Sequence, residues 1–270
     1  MQALRLSTLT AAVLLAGAGL LSGCSSTPKD ITQGWSPERI QQEARDEVAA
    51  GAWDKAIGLY EKLEGRAAGT LLAQQAQIDK AYAQYRYNEK VQALATLDRF
   101  IRLHPASPAL DYALYLKGLV NFNENLGLFS SLINQDLSER DQKAAKESYE
   151  SFLELSNRFP DSKYTPDARQ RMTYIVNSLA GYEVHVARYY ARKGAYVAAV
   201  NRAQQALSDY QGVPASEEAL AILVYCYQQL GLTSLRDDAQ RVLETNYPNS
   251  TFLKNPLASR KSKPWWQLFW

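Results

Sequence analysis

Four prolines set the grammar of this chain. Leu103-His104-Pro105-Ala106-Ser107, Arg158-Phe159-Pro160-Asp161-Ser162, Val213-Pro214-Ala215-Ser216 and Asn246-Tyr247-Pro248-Asn249-Ser250 each place Pro-x-Ser after what reads as a helix end. Proline stops a helix because it has no N–H to donate and its ring clashes with the preceding turn. A serine two residues on offers an N-cap to the next helix. Pro214 and Pro248 are 34 residues apart, the period of a helix–turn–helix repeat. Pro105 to Pro160 and Pro160 to Pro214 are longer, at 55 and 54 residues, so both intervals must hold longer helices or insertions.

From Ser36 onward the apolar residues recur at helical spacing, and runs rich in Val, Ile and Thr are missing. Gly51-Ala52-Trp53-Asp54-Lys55-Ala56 and Gly194-Ala195-Tyr196-Val197-Ala198-Ala199 both read Gly-x-aromatic-x-x-Ala. Here glycine closes a first helix, the aromatic packs between helices, and alanine lets a second helix approach. The spacing predicts five helix pairs: 36–50 with 53–64, 70–87 with 90–103, 108–123 with 139–158, 166–193 with 196–210, and 216–230 with 233–246. A single repeat cannot bury its apolar face alone, so neighbours must stack. The fold expected is all-α, a tetratricopeptide-type superhelix with an extended groove suited to peptides and partner domains. Residues 125–138 interrupt the third pair and read either as a loop folded on the core or as a partner-binding loop.

Composition argues against chemistry. There are two histidines, His104 and His185, in different repeats. His104 reads as surface or as a cation at a helix C-terminus, and His185 as packed within a long helix. No His, Cys, Asp and Glu set has metal-ligand spacing, so no metal site is expected. No phosphate-binding glycine loop and no G-x-S-x-G is present, so no catalytic residues are expected. Arg5 is the only charged residue of 1–23, which leaves 29 Lys and Arg against 28 Asp and Glu in the rest. Such near-neutrality gives no support to nucleic-acid binding. Cys226 lies in an apolar helical pattern and reads as a small core residue.

The N-terminus names a compartment. Met1 to Ser7 carries one cation and no acid, and Ala11 to Leu21 is an apolar run too short to span a bilayer. This reads as a secretory signal. It ends in Leu21-Ser22-Gly23-Cys24, which resembles the lipobox of bacterial lipoproteins, where the cysteine is acylated. Ser25 and Ser26 follow; an Asp there would resemble an inner-membrane retention signal, so the outer membrane is expected. The division expected is a signal peptide at 1–23, a lipidated flexible tether at 24–35, a repeat domain at 36–250 and a basic, aromatic tail at 251–270. The tail ends Trp265-Trp266-Gln267-Leu268-Phe269-Trp270. It reads as a cap on the last repeat, as an interfacial anchor, or as a mimic of an outer-membrane barrel terminus.

Longer blocks narrow the reading. Leu97-Asp98-Arg99-Phe100-Ile101-Arg102-Leu103-His104-Pro105, Asp111-Tyr112-Ala113-Leu114-Tyr115-Leu116-Lys117-Gly118-Leu119, Arg158-Phe159-Pro160-Asp161-Ser162-Lys163-Tyr164, Tyr182-Glu183-Val184-His185-Val186-Ala187-Arg188-Tyr189-Tyr190 and Ala195-Tyr196-Val197-Ala198-Ala199-Val200-Asn201-Arg202 resemble the BamD (ComL) family. That family is the lipidated repeat subunit of the β-barrel assembly machinery. The resemblance implies docking of the C-terminal repeats on the membrane-proximal POTRA domain of BamA, with other assembly lipoproteins as partners. It implies receipt of the C-terminal signal of unfolded outer-membrane proteins by the N-terminal repeats, and no cofactor beyond the lipid on Cys24. Val200-Asn201-Arg202 puts Arg202 forward as the BamA contact, against the simpler reading of a solvated cation. With Ala93 and Pro105 set on the repeat consensus, Tyr82, Tyr85 and Arg86 fall on the concave side, and Arg45 at the matching place one repeat earlier. They would hold the aromatic side chains and carboxylate of a barrel signal; the alternative for the tyrosines is interhelix packing. One departure stands out: the family's aromatic-Pro-Phe-Gly turn is replaced here by Glu64-Gly65-Arg66-Ala67-Ala68-Gly69. Other readings are a repeat lipoprotein of the type IV pilus secretin and, against the missing catalytic set, a cell-wall hydrolase.

Overall fold

The computed structural model describes residues 30–122 and 139–258. Cys24, the signal segment, the 125–138 insertion and the Trp-rich end of the tail lie outside the described residues. Ten α-helices form five antiparallel pairs: α1 (Pro37–Ala49) with α2 (Trp53–Arg66), α3 (Leu71–Arg86) with α4 (Lys90–Leu103), α5 (Leu110–Asn121) with α6 (Glu139–Arg158), α7 (Thr165–Arg192) with α8 (Tyr196–Asp209), and α9 (Ala215–Gln229) with α10 (Thr233–Asn246). No strand occurs among the described residues. The fold is the all-helical repeat stack expected, and α7, at 28 residues, accounts for most of one long proline interval.

The pair turns work as the glycines indicate. Gly51 and Gly194 sit at φ +74° and +78°, a left-handed conformation that a Cβ disfavours. Ala56 and Ala199 that follow are fully buried. The aromatic between them packs on the next first helix: Trp53 meets Tyr82 edge-on at 6.1 Å, and Tyr196 meets Tyr225 at 6.1 Å.

The Pro-x-Ser marks work differently from the expectation. Ser107 and Ser162 lie outside the helices, and neither α5 nor α7 has a side-chain cap. Ser216 is buried inside α9. Each serine N–H instead closes a four-residue turn: Ser107 to His104 O, Ser162 to Phe159 O, Ser216 to Val213 O and Ser250 to Tyr247 O, all 3.0–3.1 Å. The proline is the second residue of every one of these turns, where its fixed φ is already correct. The hydroxyls of Ser107, Ser162 and Ser250 each accept the N–H two residues on, from Ala109, Tyr164 and Phe252 at 3.2–3.4 Å, and only at Ser250 does this cap the element that follows, a short 3-10 turn, Thr251–Leu253.

Both ends of the repeat domain reach further than expected. Residues 30–35 are not a free tether. Lys62 and Arg66 of α2 grip Asp30 at 2.6 and 3.2 Å, and Arg66 donates to the carbonyls of Thr32 and Trp35. Hydrogen bonds from Lys62 first, then from Thr32, hold the Asp30 carboxyl well below the usual carboxylate range. At the other end the boundary at 250 falls too early. Phe252 is buried against Leu220 and Leu243, and Arg192 donates to Leu257 O at 2.9 Å. Phe252-Leu253 is too short an apolar pair to carry a period, so the sequence pattern had nothing with which to place it.

Cys226 sits fully buried in α9 among Ala199, Ala203 and Ile222. Burial pushes its thiol up to about 11. Since the thiolate is the nucleophile, Cys226 is expected to ignore a maleimide in the folded protein and to react within minutes in guanidinium. Rapid labelling of Cys226 without denaturant would contradict this packing.

Candidate functional site

A strip of tyrosines and cations runs along the first helices of successive pairs. At its N-terminal end, Arg86 Nη1 donates to the Tyr82 hydroxyl at 2.8 Å, and its guanidinium lies 4.8 Å over the Trp53 ring. Arg45, exposed on α1, acts by charge on Tyr60 and Asp79. Burial raises the Asp79 carboxyl, which accepts from Gln75 Nε2 at 2.8 Å and is stabilised by Arg45. Burial likewise pushes Tyr60 up to about 12, with Asp79 adding to the shift.

The strip continues across the middle pair. Tyr112 of α5 lies 5.2 Å from Tyr164, and Tyr115 stacks on Tyr164 at 4.8 Å with only 19° between the rings. The Tyr115 hydroxyl donates to Asp167 Oδ2 at 2.7 Å, and Arg171 Nε donates to the same oxygen at 2.6 Å. Arg171 also covers the Phe122 ring at 4.6 Å, and Phe122 meets Tyr174 at 5.7 Å. Tyr112 and Tyr115 are both pushed up to about 12, chiefly by burial. Tyr112 also feels Tyr82 and Asp79, which joins the two parts of the strip. Tyr60, Tyr112 and Tyr115 are therefore neutral at pH 7. The surface therefore offers ring faces, hydroxyls and fixed cations, a set that binds aromatic side chains and carboxylates. Among the described residues no group of three or more His, Cys, Asp or Glu could hold a metal ion.

A family model described as "YfiO: Outer membrane lipoprotein" matches residues 35–243. The chain belongs to that family. Relatives carry the name outer membrane protein assembly factor BamD. The protein of Neisseria meningitidis serogroup B is 49% identical over 255 residues, covering 93% of this chain and 95% of the relative. That of Xylella fastidiosa (strain Temecula1) is 35% identical, covering 94% and 89%. That of Vibrio cholerae is 34% identical, covering 84% and 94%. Membership in the YfiO family places the chain at the outer membrane, and no described helix is long and apolar enough to cross a membrane.

Within this YfiO chain the expected site residues separate. Tyr82 and Arg86 stand together, with Trp53 as a third member. Arg45 belongs to the neighbouring Asp79 group. Tyr82 and Tyr85 are both half-buried against the core that holds Leu97 and Phe100, so both also pack between helices, and only Tyr82 bonds Arg86. The segment 64–69, expected as a turn, is divided differently. Glu64, Gly65 and Arg66 are not a turn but the last residues of α2, and the turn falls at 67–70 with Gly69 at φ +82°. Glu64 accepts from Lys80 at 2.7 Å and Gln77 at 2.8 Å, and pairs with Arg99 at 2.8 Å. Burial pushes its carboxyl up, but the Lys80 and Gln77 hydrogen bonds together with the Lys80 and Arg99 charges outweigh it and the pKa falls. These contacts form an ionic clip between the first two pairs.

Arg202 is more committed than its helical position suggests. Its Nη1 lies 3.0 Å from Glu183 Oε2; the Glu183 side chain is 5% exposed and that of Arg202 42%. The outward direction holds in part, but the charge already has a partner on α7. His185, expected to be packed, lies on the exposed face of α7. Reading the sequence alone missed Asp79, Asp167 and Arg171, and gave Tyr112, Tyr115 and Tyr164 no site role. Their common signal is position: they lie in, or at the mouth of, first helices.

Proposed function

We propose that this chain is the lipid-anchored scaffold subunit of an outer-membrane β-barrel assembly complex, working by binding rather than by catalysis. Cys24 carries the lipid. The C-terminal repeats dock a POTRA domain of BamA through a surface that includes Arg202, and other assembly lipoproteins share the complex. The face formed by Trp53, Tyr82, Arg86, Tyr112 and Tyr164, with Arg45 beside it, receives the C-terminal segment of an unfolded barrel protein. The observation that supports the client reading is the strip itself, with ring faces flanked by Arg45, Arg86 and Arg171. A barrel terminus offers alternate aromatic side chains and a carboxylate, which match those groups in kind. The curated relatives bear the name of an assembly factor, in keeping with this role.

The test is a synthetic peptide of alternating aromatic residues ending in Phe. A photo-crosslinker at Tyr82 or Arg86 is expected to capture it, and one at exposed Gln92 on the second helix α4 is not. Arg86→Ala is expected to weaken the peptide about tenfold, equivalent to about 1.4 kcal/mol, with little change in melting temperature because Arg86 is exposed. Capture from the α4 side alone would refute the placement.

A further inference from the structure

The Asp30 clamp fixes more than an end of the chain. Only residues 25–29 separate Cys24 from Asp30, so the lipid attachment point lies at most about 20 Å from the clamp. The clamp sits on one edge of the stack, the edge made by the connectors between pairs. Arg66 ties residues 30–35 to the end of α2. The Ser107 hydroxyl donates to Gln74 Oε1 of α3 at 3.0 Å, tying the 104–109 connector to the start of α3. The Ser162 hydroxyl donates to Asp111 Oδ2 of α5 at 2.7 Å, tying the next connector to the start of α5. These contacts make the N-terminal segment and the connectors one continuous edge.

That edge carries apolar tips. Ile31 is 71% exposed, Leu71 72% and Leu103 58%. Exposed Arg39 lies 4.2 Å over the Trp35 ring, and Arg102 is exposed beside Leu103. Glu38 and Asp161 are exposed on the same edge, so it is zwitterionic rather than strongly basic. We infer that this connector edge, through Ile31, Leu71 and Leu103, rests on the lipid headgroup layer that holds the Cys24 acyl chains, so that the repeat stack lies along the membrane surface. The inference rests on the lipid-anchor part of the proposed function.

Two observations select this edge over its rivals. The opposite edge also exposes apolar residues, Tyr87 and Val91 among them. It stands one helix length away, about 21 Å for the 14 residues of α2. Facing that edge to the bilayer would need the tether at full stretch, at a large cost in chain entropy. The free outer side of the first pair is near the tether too. Its exposed residues on α1 include Gln42, Glu43, Arg45 and Asp46, and no large exposed hydrophobic residue occurs in α1 or α2. Tether length rejects one surface and polarity rejects the other. Acyl chains supply the main hold, and the three apolar tips with interfacial Trp35 set the orientation.

The experiment uses the full lipidated chain in phosphatidylethanolamine and phosphatidylglycerol vesicles containing a headgroup nitroxide lipid. Single cysteines replacing Ile31, Leu71, Leu103, Val91 or Glu43 carry a fluorophore, with Cys226 left buried. Labels at Ile31, Leu71 and Leu103 are expected to be quenched several-fold more than those at Val91 and Glu43, with little dependence on the phosphatidylglycerol fraction. Quenching at Ile31 alone would overturn the inference in favour of a stack hanging from its end. Stronger quenching at Val91 than at Leu71 would overturn it in favour of the opposite edge. Self-quenching at Leu71 that grows with protein density would show a second copy on the edge and would also overturn it. Vesicle flotation and the mass of the N-terminal peptide are read in parallel. Acylated, floating protein with no quenching defeats this inference alone, whereas an unacylated Cys24 defeats the anchor and this inference together.

Discussion

Gly118→Ala is expected to destabilise the fold by about 3 kcal/mol, although the same change elsewhere in these helices should stabilise it. Gly118 lies inside α5, buried against α6. A Cβ there would sit 2.3 Å from Phe152 Cε1 and 2.6 Å from Cδ1. Phe152 is itself fully buried among Leu114, Leu155 and Ile175, so its ring has no free space into which to swing. The Ser148 hydroxyl donates to Gly118 O at 2.8 Å, which draws the two helices together at this point. Gly58 in α2 and Gly181 in α7 have nothing within 4 Å of the same added carbon and no positive φ. There, Gly→Ala should gain the ordinary helix-propensity difference, about 0.5–1 kcal/mol. Denaturant melts of the three variants decide the matter. Equal, small shifts at all three positions would mean that α5 and α6 are not packed at this distance. Adding Phe152→Leu to Gly118→Ala should recover part of the loss, since the smaller side chain vacates the ring positions that the new methyl group meets.

Arg202→Glu is expected to fail twice, in stability and in partner binding, and the two failures can be separated. Glu183 is 5% exposed, and reversing Arg202 places a second carboxylate against it. Losing one partner of a buried pair costs several kcal/mol. Arg202 is 42% exposed, so solvent screening reduces the penalty here to about 2 kcal/mol, or roughly 5 °C in melting temperature. A bare loss of binding by Arg202→Glu therefore says nothing about docking. Arg202→Lys keeps a cation for Glu183 but loses the planar fork that pairs two carboxylates at once. It should melt near the parent and, if the proposed docking holds, bind the BamA POTRA domain more weakly. Arg202→Ala with Glu183→Gln removes both charges and should recover much of the stability without recovering binding. Binding that returns together with stability in that double variant would show that Arg202 acts only within the fold.

Part of the tyrosine and cation strip was legible in the sequence. Tyr82, Arg86 and Arg45 follow from the repeat register, since position in a first helix fixes which face a side chain occupies. Asp79, Tyr115, Asp167 and Arg171 have the same positional logic but lack a local motif. They matter because α3, α5 and α7 stand side by side, and a contact such as Tyr115 to Asp167 spans 52 residues of sequence. Tyr85, three residues from Tyr82, packs on the same core without a bond to Arg86, because side chains three apart on a helix share a face but not the same neighbours.

The sequence by itself determined the helix pairs. Their starts lie within two residues of the expected positions where both helix ends are described, since proline stops, glycine at positive φ and buried alanines act through nearest neighbours in the chain. It also determined the family, because extended blocks of residue identity are a property of sequence alone. Tertiary structure decided what those local rules leave free. It made the Pro-x-Ser serine close a four-residue turn at all four sites and cap the following element only at Ser250. It continued α2 through Glu64 and Arg66, because Lys80, Gln77, Arg99 and the 30–35 segment supply partners for those charges. It gave Arg202 to Glu183. In each case the deciding group lies a helix or more away, and the energy of burying or pairing a polar group depends on where that distant partner stands.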